Sequence, residues 1–216
     1  MKLFRYKNFI KESKEDIDSI CKKFDIENYT INEDSTVDVD GNVDLYDKRL
    51  TKLPLKFGKV SGNFSCLYNQ LISLEGAPLS VGGYFNCISN QLKSLEGAPL
   101  SVGGNFYCDS NQLKSLSGIS GRISGGIYCY NNQLRDVKGV KDGWLGEFSV
   151  RENPVYEIFK LFPKDKWDEV IEILNEYEVI RDDGSLVILQ RLEQVFLELG
   201  LEVPEIEEIK GYKIHF

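Results

Sequence analysis

An α/β-type solenoid is the fold class this sequence predicts, and three observations predict it. The triplet Asn-Gln-Leu recurs at Asn69-Gln70-Leu71, Asn90-Gln91-Leu92, Asn111-Gln112-Leu113 and Asn132-Gln133-Leu134, always 21 residues apart. A cysteine stands three residues before each copy, at Cys66, Cys87, Cys108 and Cys129. Apolar columns keep the same phase beyond these copies, through about six coils. A unit this short cannot bury its own apolar face, so it is stable only with a neighbour stacked on it. The expected architecture has an N-terminal helical cap over residues 1–40, a repeat array with a parallel sheet on its concave side over 41–158, and a C-terminal α+β cap over 159–216.

In the first segment Phe9, Ile10, Ile17, Ile20, Cys21 and Phe24 recur at roughly helical spacing among Lys, Glu and Asp. That pattern predicts an amphipathic helix over about 8–24. Asn28 to Ile31 and Val37 to Val39 then read as short strands that begin the sheet.

The coils align as Gly-x-Φ-x-Cys-x-x-Asn-Gln-Leu-x-Ser-Leu-Glu-Gly-Ala-Pro-Leu-Ser-Val-Gly, with Φ apolar. The Φ column reads Val43, Phe64, Phe85, Phe106, Ile127, Phe148, and the cysteine column Leu45, Cys66, Cys87, Cys108, Cys129, Val150. Two further columns run from Leu50 to Val155 and from Leu53 to Ile158, and a fifth, Val60, Val81, Val102, Ile123, Trp144, lies on the return stroke. Residues two apart on an extended segment share a side, so Φ and Cys point inward together and the segment between them stacks as a parallel strand. Gly76, Gly97, Pro78 and Pro99 break that strand and turn the chain. The return stroke is short and rich in Gly, which predicts extended or 3₁₀ structure. The asparagine column Asn69, Asn90, Asn111, Asn132, Asn153 stands where the chain leaves the strand, and its amides are suited to pairing buried backbone groups.

After the array, Trp167, Val170, Ile171 and Leu174 mark one helix, and Leu192, Val195, Phe196 and Leu199 mark another that Gly200 can end. Tyr177 to Ile180 and Leu186 to Leu189 flank Asp182-Asp183-Gly184, a hairpin signal, and the last residues from Gly211 can add a strand.

The order Φ-x-Cys-x-x-Asn-x-Leu is similar to the leucine-rich-repeat signature, with Phe and Cys in place of two leucines. The 21-residue unit with Leu-x-Ser-Leu-Glu-Gly-Ala-Pro on the return resembles bacterial-type repeats, and most resembles those of leucine-rich-repeat proteins encoded by bacteriophages. The lead-in segments Glu27-Asn28-Tyr29-Thr30-Ile31-Asn32, Val37-Asp38-Val39-Asp40-Gly41-Asn42-Val43-Asp44-Leu45 and Leu53-Pro54-Leu55-Lys56-Phe57-Gly58 strengthen that likeness. The resemblance implies a protein–protein interaction module. Some effectors of this repeat class carry a ubiquitin-ligase domain with a cysteine nucleophile, but no cysteine follows Cys129 here.

Residues 1–40 carry a net charge of −3, residues 41–152 of +3 and residues 153–216 of −8. Acidic ends disfavour nonspecific binding to nucleic acid, which needs clustered cations. No apolar run approaches the ~20 residues of a membrane span, and the first residues lack the pattern of a signal peptide. The expectation is a cytoplasmic protein, in the host cytoplasm if phage-encoded, with no membrane partner. Four of the five cysteines share one phase of the repeat, which fits buried, reduced thiols better than disulfides. With a single histidine, His215, neither a metal site nor a His-based triad is expected, and no cofactor is called for.

With the inward columns committed to packing, recognition falls to the outward positions of the front strands. These vary from coil to coil where the inward ones do not. Tyr46, Tyr68, Tyr84, Tyr107, Tyr128, Tyr130 and Arg151 stand among them, with Leu67, Ile88 and Asp109. Tyr and Arg dominate binding hot spots, although strand surfaces also favour Tyr for cross-strand packing. The reading is a non-enzymatic module that holds a protein partner on the concave sheet, in the phage setting an inhibitor of a host defence protein. Small-ligand sequestration and a structural place in the virion are the alternatives.

Overall fold

The computed structural model describes residues 14–119, 121–140, 146–181 and 184–216. It is a β-solenoid of about five turns built from two parallel sheets. Each turn contributes one strand to a front sheet and one to a back sheet. In chain order the elements begin with α1 (Lys14–Lys23), β1 (Tyr29–Ile31) and β2 (Val37–Val39). The coils follow with β3 (Val43–Asp44), β4 (Phe57–Val60), β5 (Phe64–Ser65), β6 (Ser80–Val81), β7 (Phe85–Asn86), β8 (Ser101–Val102), β9 (Phe106–Tyr107), β10 (Arg122–Ile123), β11 (Ile127–Tyr128) and β12 (Phe148–Ser149). The chain continues through α2 (Tyr156–Phe159), a 3₁₀ turn at Lys164–Lys166, α3 (Trp167–Glu176), β13 (Ile180–Arg181), β14 (Leu186–Ile188), α4 (Leu189–Glu198) and β15 (Lys213–His215).

The front sheet has the order β12-β11-β9-β7-β5-β3 and the back sheet the order β1-β2-β4-β6-β8-β10. Front strands pair in parallel at an offset of one period, Val43 with Phe64, Phe64 with Phe85, Phe85 with Phe106, Phe106 with Ile127 and Ile127 with Phe148. Among the described residues the inward columns are buried as the sequence reading expects, except that Leu50 in the first coil is only partly buried. Phe64, Phe85, Phe106 and all four repeat cysteines are buried, as are Leu71, Leu92, Leu113 and Leu134. The Phe64 and Phe85 rings stack with centroids 5.6 Å apart and the next pair at 5.2 Å. Each such phenylalanine stabilises the array by about 1.5–3 kcal/mol through burial.

The return stroke is extended, one of the two forms that its length and glycine content predict, and this removes the α/β label from the array. The coils are not of the α/β type, because Ser80–Val81, Ser101–Val102 and Arg122–Ile123 form a second parallel sheet and no helix lies in the coils among the described residues. The reason is length: a few residues remain after each Gly-Ala-Pro turn, too few for a helix with its own hydrogen bonds, while extended backbone pairs at once with the coil below. Six front strands, one for each Φ residue from Val43 to Phe148, enclose about five turns of the chain. Trp144, assigned to the return column, lies outside the described residues.

Backbone conformation repeats along with side-chain phase. Gly76, Gly97, Gly118 and Gly139 have φ between 85° and 106°, and a Cβ on Gly118 would meet the Leu95 carbonyl carbon at 2.6 Å. Glycine is therefore required on two grounds at that turn. A second left-handed column, Asp47, Tyr68, Ser89, Ser110, Asn131 and Glu152, sits near 50° and re-aims the chain out of each front strand.

The asparagine column closes the backbone accounts at that bend. Asn90 accepts from the Leu71 N–H at 2.9 Å and donates to the Cys66 carbonyl of the preceding coil at 3.0 Å and to the Cys87 carbonyl of its own at 3.1 Å. Asn69, Asn111, Asn132 and Asn153 repeat the pattern, each buried. Thiol hydrogens add a weaker bond in the other direction, from Cys87 to the Tyr107 carbonyl at 3.3 Å.

Both flanks join this core. In α1, Ile17 and Cys21 are buried; residues 8–13 of the expected helix lie outside the described residues. The β1–β2 hairpin is antiparallel and extends the back sheet through β2 and β4. At the other end α3 and α4 form where expected, with Gly200 at φ 67° ending the second. Strands β13 and β14 pair antiparallel, β15 joins β14 in parallel, and Asp182 and Asp183 of the predicted hairpin turn lie outside the described residues. The short helix α2 is unanticipated: Val155 and Ile158 keep the phase of the coil columns, but their spacing of three also suits a helix, and Phe159 is buried with them.

Candidate interaction surface

The front sheet presents the residues between Φ and Cys, and the two after Cys, away from the core. Adjacent strands lie ~4.8 Å apart, so side chains of one column touch their neighbours in the next coil. The structure sorts the expected tyrosines into groups. Tyr46 and Tyr68 form an edge-to-face pair with centroids 5.8 Å apart, and both stay exposed, at 51% and 56%. Beside them lies an indentation of about 240 Å³ lined by Tyr46, Asp47, Arg49, Tyr68, Asn69, Gln70 and Ser89.

Further along, Tyr84 meets Tyr107 edge-on at 6.1 Å, and Tyr107 stacks on Tyr128 at 4.9 Å. Tyr107 and Tyr128 are half-buried by this ladder. Their hydroxyls are also engaged: the Asn105 amide donates to Tyr107 at 2.7 Å, and Tyr128 donates to the Glu147 carboxylate at 2.7 Å. That bond holds the Tyr128 phenol in its protonated form, pushed up to about 12. Cross-strand packing thus accounts for much of what Tyr107 and Tyr128 do.

Tyr130 stands apart from the ring ladder, its phenol raised by a hydrogen bond to Glu152. Its N–H donates to the Asp109 carboxylate at 2.8 Å, and burial raises the Asp109 pKa. Arg151 is exposed, whereas Leu67 and Ile88 are half-buried. The face is not uniformly open. Ser65, in the outward column, is only 5% exposed, and its hydroxyl is the one buried side-chain oxygen or nitrogen without a partner among the described residues.

Sequence reasoning missed a second amide ladder on this face. Asn42 accepts from the Asn63 N–H at 2.7 Å, Asn63 from the Tyr84 N–H at 2.9 Å and Asn105 from the Gly126 N–H at 2.8 Å. These residues brace the strand entrances in addition to facing outward. The recurrence of Asn in three of the six positions before Φ was the available signal. Arg49, which lines the indentation, carried none, and Gln70 beside it was marked only as part of the repeated triplet. Among the described residues no helix is long and apolar enough to cross a membrane. No family model, curated protein or solved structure matches this chain.

Proposed function

We propose that this solenoid is a non-enzymatic module that binds a protein partner on its front sheet, with Tyr46 and Tyr68 as the anchors. One observation carries the reading: two large, amphipathic rings stay half-exposed on a rigid ladder, beside an indentation of about 240 Å³ flanked by Arg49 and Asp47. A rigid, exposed Tyr loses little conformational freedom on binding and contributes both apolar area and a hydroxyl. Tyr84, Tyr130 and Arg151 extend the surface along the array, and Tyr107 and Tyr128 form its stiff middle. In this reading α1 with β1 and β2, and the segment after residue 158, act as the caps of the array.

The likeness of the repeat to bacterial and phage leucine-rich repeats supports a partner from a bacterial host, with inhibition of a defence protein as the outcome. The test is affinity capture with the unaltered chain and with Tyr46→Ala/Tyr68→Ala side by side. A protein retained by the first and lost by the second, with unchanged thermal stability, supports the proposal. Equal retention by both sinks it.

A further inference from the structure

We propose that a cleft between the late coils and the C-terminal sheet binds a small multivalent phosphate anion of the nucleoside di- or triphosphate class. The cleft has a volume of about 550 Å³ and is lined by Lys114, Arg135, Ser185, Gly211, Tyr212 and Lys213. Two ladders assemble it. The Arg135 N–H bonds to the Lys114 carbonyl at 3.2 Å, placing two cations of successive coils side by side. The Lys213 N–H bonds to the Ser185 carbonyl at 2.9 Å, bringing a third cation from β15. Arg135 is held in place, its Nη1 donating to the Gly211 carbonyl at 2.8 Å.

Every charged lining residue described is a cation, in a chain whose net charge is −8. Among the described residues none of the three has a carboxylate within 4.0 Å. The acids that act on the Tyr212 hydroxyl are Asp136 and Glu157. Asp136 accepts from the Lys138 N–H at 3.1 Å, and Glu157 pairs with Lys160 at 2.6 Å. Asp182 and Asp183 precede Gly184 in the chain and lie outside the described residues.

Converging like charges repel unless an anion joins them. A planar guanidinium and two ammonium groups match the oxygens of a phosphate chain, the former as a fork and the latter as point charges. The volume is that of a small-ligand pocket, large for orthophosphate alone. This site is separate from the tyrosine face, and its failure would leave that reading untouched.

The test is calorimetric titration of the full chain with pyrophosphate, ATP and adenosine at low ionic strength. Lys114→Glu and Lys213→Glu serve as variants, since both lysines are exposed and their substitution leaves the packed core intact. Pyrophosphate and ATP should bind, adenosine should not, and each charge reversal should weaken binding by roughly ten-fold or more, the worth of a charge-assisted hydrogen bond. Absence of binding by either phosphate, equal binding of adenosine, or affinities unchanged in both variants would overturn the proposal.

Discussion

The Tyr212 hydroxyl donates a 2.8 Å hydrogen bond to the backbone carbonyl of Arg135, 77 residues earlier in the chain. Arg135 answers through its guanidinium to the Gly211 carbonyl at 2.8 Å. A late coil of the array and the segment around Gly211 are thereby clamped to each other from both sides. Burial raises the Tyr212 phenol above its ordinary value, so it remains a donor throughout the neutral range. Tyr212→Phe should cost about 1 kcal/mol, the usual worth of one such bond. Limited proteolysis should then cut the segment after residue 200 sooner than in the unaltered chain; unchanged cleavage would mean the clamp contributes nothing.

Asn111 bridges two coils, accepting from the Leu92 N–H at 3.0 Å and donating to the Cys87 carbonyl at 3.0 Å. Asn111→Leu keeps the volume but orphans buried backbone groups, at about 1–3 kcal/mol for each group left unpaired. A urea titration should show an earlier midpoint with an unchanged slope. A midpoint equal to that of the unaltered chain would remove the asparagines from the stability account.

All four repeat thiols are free and buried. A thiol reagent should label them slowly in the native protein and rapidly in denaturant. Cys108→Asp would place a charge in an apolar column and should unfold the array, whereas Cys108→Ala should leave it folded. Circular dichroism distinguishes these outcomes, and a folded aspartate variant would contradict the packing described here.

Stability should fall in alkali. Burial pushes the Cys66 thiol from its ordinary 9.0 up to about 12, and Cys87, Cys108 and Cys129 are raised in the same direction for the same reason. Between these values the unfolded chain has lost protons that the native chain keeps, so stability decreases as pH rises. The contribution is complete below pH 9.0 and is lost progressively as pH climbs toward 12. Melting temperatures measured from pH 7 to 11 should drop above 9, and less steeply in Cys66→Ala.

The sequence by itself determined the period, the inward columns and the structural role of the asparagines. Each coil states its phase residue by residue, and one apolar pattern repeated at a fixed interval can be buried only by stacking. Gly200 and the spacing of Trp167, Val170 and Leu174 determined their helices in the same local way. Only the tertiary structure decided that the return stroke is a second sheet. That pairing depends on Ser80 and Ser101 lying opposite one another, a contact between coils. Tertiary contact also separated exposed Tyr46 and Tyr68 from the packed Tyr107 and Tyr128, and joined Arg135 to Tyr212 around a cationic cleft. Local periodicity is written within one coil, whereas exposure and charge convergence arise between residues that meet only after the chain has folded.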